Sequence, residues 1–275
     1  MGKAFENFKR SLELSEALQR IEDNESQKIE DIKSNRDELS EALQRIEDNE
    51  SQKIEVNEKL RIVEDNINKH NTAIMGLRGG QVVLMVASFE FFLRELFREE
   101  ISSLNKVGID FSKLPPALLV TSVFNGLNNA MAAPAFSSKD KTNEKIHRIP
   151  KIINECELLM NKQINPDSFT DTHSNPNPET VLKKFKEVGI NEIFKNIKNT
   201  FEKNWKSVVS DEFIKETLFS IVNRRHLVAH TADIPNITKK DIEEAIRFLK
   251  VLAEVLEEAL SDHINELKVT AKKDI

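Results

Sequence analysis

The chain has no tyrosine and only one tryptophan in 275 residues. Together with its scarce alternation of apolar and polar positions, this removes the usual signals for strands and leaves an all-α fold class. A single cysteine, Cys156, excludes an intramolecular disulfide and any zinc site built from several thiolates. Its neighbours Glu155 and Glu157 would hold the thiol protonated, so Cys156 reads as an unreactive, partly buried side chain. No run of 18 uncharged apolar residues occurs, the longest candidate, Val82 to Phe97, being interrupted by Glu90, Arg94 and Glu95. The N-terminus also lacks the apolar core of a signal peptide, and the expectation is a cytoplasmic protein with no membrane partner.

A basic excess is missing as well. The net charge of -6 arises in residues 1–70, which hold 18 acids and 12 bases; residues 71–275 hold 28 of each. That balance excludes the electrostatic footprint of a binder of long duplex nucleic acid. A mild excess over residues 139–225, with 16 bases against 13 acids, suffices at most to guide a short single strand. Against these absences, 39% apolar residues with 16 Phe provide enough material for an ordinary core.

Glycine and proline are absent from Lys3 to Met75, where Leu, Ile, Phe and Ala recur at helical spacing among charged residues. Residues 1–74 therefore read as an acidic helical arm and 75–275 as an α-helical domain. Within the arm, residues 13–30 (ELSEALQRIEDNESQKIE) recur unchanged at 38–55. The offset of 25 falls about 20° short of seven full helical turns, so on one continuous helix both copies would face the same way. Such a helix cannot bury its stripe alone. It must fold back as a hairpin or pair with another chain.

Gly76, Gly79 and Gly80 read as a hinge, and with no Lys-Ser or Lys-Thr after them they do not form a phosphate-cradling loop. Val82 to Leu104, apolar nearly all round, reads as a central buried helix. Further helices are predicted at 115–132, 143–162, 178–187, 191–208, 211–231 and 238–268, the last opened by a capping box from Thr238 to Asp241, with a loop from Asn165 to Pro178.

The segment that carries chemistry is Asn223-Arg-Arg-His-Leu-Val-Ala-His230. An arginine supplies a permanent cation for a phosphate and a histidine moves a proton near neutral pH, although this spacing arises about once by chance in a chain of this composition. On a wheel centred on Ile214, Leu218, Ile221 and Val228 fall within about 40°, and Arg225 falls among them. A cation in an apolar stripe must meet a carboxylate or a ligand phosphate, or lie at the rim of an interface. His230 lies about 140° round the same helix, with Phe219, Asn223 and His226, so a shared phosphate needs a bent helix end or a second copy of the chain.

This segment, followed by a short turn and a long helix from Asp241 to Leu260, resembles the HEPN superfamily, in particular its branch of predicted ribonucleases in prokaryotic conflict and defence systems. Val82 to Phe97 (VVLMVASFEFFLRELF) looks like the first core helix of that family. Ser174 to Ile190 (SNPNPETVLKKFKEVGI) looks like the loop and helix leading to the motif. The resemblance covers roughly residues 75–265 and leaves out the arm. It implies a helical bundle that dimerises so that two Arg-x4-6-His motifs form one metal-independent endoribonuclease site in a defence or toxin-antitoxin system. Arg225 matches the motif arginine, His230 the motif histidine, and His226 the polar residue between them, which is more often Asn. Arg224 also satisfies the loose spacing, and Asn223 and Glu90 are supporting candidates. The implied partners are an RNA substrate, a second copy or higher homo-oligomer, and a regulator or antitoxin protein.

Other readings stay open at this point. His226 and His230 have the spacing of a zinc chelate, but Leu227 stands where a metalloprotease carries its Glu and no third ligand is evident, so neither metal nor other cofactor is expected. Arg225 and Glu90 would alternatively form a structural ion pair. The alternative function is a catalytically silent HEPN-like subunit that recruits a partner through its coiled-coil arm. His70, His147, His173 and His263 have no companions nearby in sequence and read as surface residues.

Overall fold

The computed structural model describes residues 2–46, 50–132, 141–172, 175–231 and 237–272, leaving aside the side chains of 141–144, 230 and 231. The described residues form α1 (Lys3–Arg45), α2 (Glu50–Asn105), α3 (Pro116–Met131), α4 (Lys141–Met160), α5 (Pro178–Glu187), α6 (Ile193–Asn196), α7 (Lys198–Trp205), α8 (Phe213–Thr231) and α9 (Lys239–Thr270). Short 3-10 turns occupy Phe111–Lys113 and Pro166–Phe169, and no strand occurs among the described residues. The expected all-α class holds.

By internal contacts the chain divides into two compact units, both discontinuous in sequence. One comprises Met1–Arg10, Val86–Val222 and Arg247–Ile275; the other comprises Ser11–Met85 and Asn223–Ile246. The division thus runs differently from the compositional one at residue 74, because each long helix contributes to more than one cluster of contacts.

The first unit is built around phenylalanine. Phe5, Phe8, Phe89 and Phe92 form one cluster with ring centroids 5.2 Å apart at the closest, and Phe8, Phe89 and Phe92 are fully buried. Phe201, Trp205, Phe213 and Phe248 form another, capped by the Arg247 guanidinium 4.1 Å above the indole. Leu93, Leu96, Phe97, Ile101 and Leu104 make the C-terminal part of α2 the buried helix that its composition predicts. Among the described helices α2 is also the one apolar and long enough to cross a membrane, and 44% of that stretch is buried inside the protein. Where α3 meets α4, a Cβ on Gly126 would stand 2.1 Å from Glu155 Oε1, so a side chain there would displace that carboxylate. α4 turns Ile146, Ile149, Ile153, Cys156 and Met160 to solvent. Cys156 is therefore exposed, against expectation, because α4 buries the opposite side, that of Glu155.

In the second unit α1 and α2 fold back on each other. Glu25 meets His70 at 2.6 Å and Glu22 meets Arg78 at 2.6 Å, partner numbers rising on one helix as they fall on the other, as in an antiparallel hairpin. The two copies of the repeat consequently differ in structure. Residues 13–30 lie wholly within α1, whereas 38–55 straddle its end at Arg45 and the start of α2 at Glu50. Of the two arrangements open to the arm, a fold-back hairpin or a pairing with another chain, α1 and α2 take the first, and identical local propensities end up in different settings.

The hinge at Gly76, Gly79 and Gly80 is not there: α2 runs through all three. Each glycine costs about 1 kcal/mol against alanine in a helix. Burying Ile74, Val82 and Met85 on the same helix stabilises it by roughly 1.5–3 kcal/mol apiece, which outweighs that cost. A Cβ on Gly76 or Gly80 would meet nothing within 4 Å, so these glycines serve no close approach. The helix predicted over 191–208 is likewise divided, into α6 and α7, around Ile197. Ile193, Phe194, Ile197 and Phe201 are all buried and would fall within about 100° of one another on a straight helix, so the apolar face carries on across the break.

Candidate functional site

α8 carries the motif, and its wheel is as predicted in its first turns: Ile214, Leu218 and Ile221 are 5% exposed or less. Phe219, Asn223 and His226 are exposed on another face of the helix. Arg225 is half-buried at the end of the buried stripe. Its Nε is shielded from solvent and has no hydrogen-bond partner among the described residues. A guanidinium in that position retains unmet donor capacity, which suits it to an anion.

Arg224 differs in kind from its neighbour. Its guanidinium lies 3.3 Å from Asp241 Oδ1, with both side chains about one-third exposed. Asp241 in turn closes the capping box of α9. Its N–H donates to Thr238 Oγ1 (3.1 Å), and its Oδ2 accepts from Thr238 N–H (2.9 Å) and Thr238 Oγ1–H (2.6 Å). The Thr238 hydroxyl, then its backbone N–H, then Arg224 hold the Asp241 carboxyl below the usual range. Arg224 thus has a carboxylate partner while Arg225 has none among the described residues, which distinguishes the two arginines that the spacing alone left equivalent.

The start of α9 is held from the arm as well. Arg78 donates through Nε and Nη2 to Glu22 Oε1 (2.8 and 2.6 Å) and through Nη1 to the Ile237 carbonyl (2.9 Å). Lys239 reaches Asp23 at 2.6 Å. No sequence signal marked Glu22 or Arg78, because the pair is 56 residues apart and each sits in an ordinary charged helical pattern.

The remaining candidates fall as follows. His226 is exposed on α8. His230 belongs to α8 by its backbone, and its side chain lies outside the described residues, as does the segment 232–236. Glu90 accepts from Thr172 Oγ1 at 2.7 Å, a partner that sequence reasoning did not supply. Two histidines read as bare surface residues have partners, His70 with Glu25 and His263 with the Val188 carbonyl at 2.8 Å. His147 is exposed, and His173 lies outside the described residues. Among the described residues no group of three or more His, Cys, Asp or Glu is placed to hold a metal ion.

The mild basic excess over 139–225 does not gather into a cationic track. A cleft of about 500 Å³ is lined by Lys186, Lys195, Lys198 and Lys215, but Glu192, Asp211 and Glu212 line it too. Lys198 pairs with Asp211, Lys195 with Glu192 and Lys215 with Glu212. The field in the cleft is close to balanced.

Comparison with known proteins gives no match among curated proteins and none among solved structures. One family model, described as RiboL-PSP-HEPN, matches residues 30–262. The matched span starts inside α1, well before residue 75, so the likeness takes in the C-terminal part of that helix from residue 30 and the whole of α2. With helices throughout and most of its length matched, the chain belongs to the RiboL-PSP-HEPN family.

Proposed function

We propose that the protein is a metal-independent endoribonuclease of a prokaryotic defence or toxin-antitoxin system, with a composite site at a homodimer interface. The observation that carries this reading is Arg225, a half-buried cation at a helix end whose Nε has no partner among the described residues, beside an Arg224 already matched by Asp241. Such a group is suited to a phosphate and poorly suited to a purely structural role.

In the chemistry proposed, a ribose 2′-oxygen attacks the adjacent phosphorus as its proton passes to one His230 imidazole. The bond to the 5′-oxygen breaks, and that oxygen takes a proton from the His230 of the second copy. Arg225 neutralises the charge that builds on the phosphorane. The products are a 2′,3′-cyclic phosphate and a 5′-hydroxyl. Proton transfer of this kind is worth about 10² to 10⁴ in rate, so His230→Ala and Arg225→Ala should each remove nearly all cleavage of single-stranded RNA in EDTA. Equal cleavage by the wild type and both variants would sink the assignment, as would a strict need for Mg²⁺ with 5′-phosphate products.

A further inference from the structure

The structure assigns Arg78 and Glu22 a positioning role for the motif, coupling the arm to the start of α9; the inference rests on Arg225 and His230 being the reacting pair. Glu22 is 1% exposed and Arg78 22%, so the pair is embedded in the seam between α1 and α2. At neighbouring levels of that seam the buried residues carry no charge, Leu12, Ser15 and Gln81 on one side and Ile29 and Ile74 on the other. Buried ion pairs are commonly no more stabilising than apolar side chains of the same size, so hairpin stability alone does not explain this one. The seam even leaves the Ser15 hydroxyl, the Gln19 amide nitrogen and both polar atoms of Gln81 without partners among the described residues.

What the pair supplies, and leucine would not, is direction. The carboxylate of Glu22 takes two N–H groups of Arg78 and so aims the third, Nη1, at the Ile237 carbonyl. Ile237 is the residue just before Thr238, which opens α9. Asp241, closing the same capping box, holds Arg224 beside the motif arginine. Lys239 on Asp23 repeats the tie one turn along. A continuous set of hydrogen bonds thus runs from α1 through α2 and the first turn of α9 to α8. Displacing α1 along α2, as a protein bound to the arm would do, withdraws Arg78 from Ile237 and loosens the frame around Arg225. The arm is a means of controlling the site.

Arg78→Lys separates this role from folding, because lysine keeps the charge opposite Glu22 but offers no rigid fork to hold the carboxylate and the carbonyl together. The full-length wild type, Arg78→Lys, Arg78→Ala and Glu22→Gln would be compared by amide hydrogen exchange and by kinetics on single-stranded RNA. For Arg78→Lys the expected result is an unchanged melting temperature and exchange about tenfold faster over residues 223–246. Exchange over 89–104 should not change, and kcat should fall about 10-fold to 100-fold at constant KM, as for groups misplaced by about 1 Å. Unchanged exchange over 223–246 in both Arg78 variants would overturn the inference, as would a rise in KM with kcat preserved. Should the wild type cleave no RNA, the proposed activity fails by itself, while the exchange data still decide the coupling. Should Arg78→Ala not fold, the lysine variant decides.

Discussion

Replacing Asp241 by alanine removes, in one step, the acceptor of two hydrogen bonds from Thr238 and the counter-ion of Arg224. A capping interaction of this type contributes about 0.5–2 kcal/mol. The Arg224 pair, about one-third exposed on each side, adds about 0.2–1 kcal/mol. The sum is roughly 1–3 kcal/mol, to be read from urea denaturation at pH 7. The pH dependence has a fixed sign. Since the folded-state carboxyl of Asp241 is held below its ordinary value, its contribution is complete above the unfolded value of about 3.9 and is lost as pH falls through the folded one. The gap in stability between wild type and Asp241→Ala should therefore stay constant from pH 5 to 8 and shrink below pH 4. A gap that persists unchanged at pH 3, or one near zero at pH 7, would refute the reasoning.

Two further outcomes follow from burial and backbone. Gly76→Ala with Gly80→Ala should raise stability by about 0.5–1 kcal/mol per site, because both positions are helical and open around the missing Cβ; a loss of stability would show that α2 bends there after all. Lys184 is 2% exposed, and burial pushes its ammonium below the usual value, with Glu187 and then Asp171 pulling the other way. The folded state releases that proton before the unfolded state does, so stability relative to a Lys184→Met variant should rise as pH climbs from the folded value to about 10.4; urea midpoints that stay parallel or converge downward would contradict this.

What the sequence disclosed was what short-range chemistry decides. α5 lies where predicted, at Pro178–Glu187, because Asn177 caps it through Thr180 N–H and Pro178 opens it, and the capping box of α9 was readable for the same reason. The cation in the apolar stripe of α8 followed from period alone. The misses were decisions made at a distance. Nothing local separates Arg224 from Arg225; Asp241, 17 residues on, does. Nothing local lets three glycines stay helical; the burial of the residues around them does. The outward side of α4, and with it the exposure of Cys156, depends on which face α3 engages, and that is settled by Gly126 admitting Glu155.

The repeated block leads to one further consequence. Ile46 to Asn49, between the two helices of the hairpin, has the same sequence as Ile21 to Asn24, which lies inside α1. The same tetrapeptide is thus helical in its first copy and follows the last residue of α1 in its second, and local energetics cannot tell the two apart. The choice falls to what the first copy touches, Glu22 on Arg78 and Asp23 on Lys239, contacts that a reversal at that point would forfeit. Arg78 and Lys239 therefore tie the first copy into the continuous helix α1. A chain that lost or gained one block of 25 residues would keep its apolar stripe within about 20° of its present phase wherever the block lies within a helix.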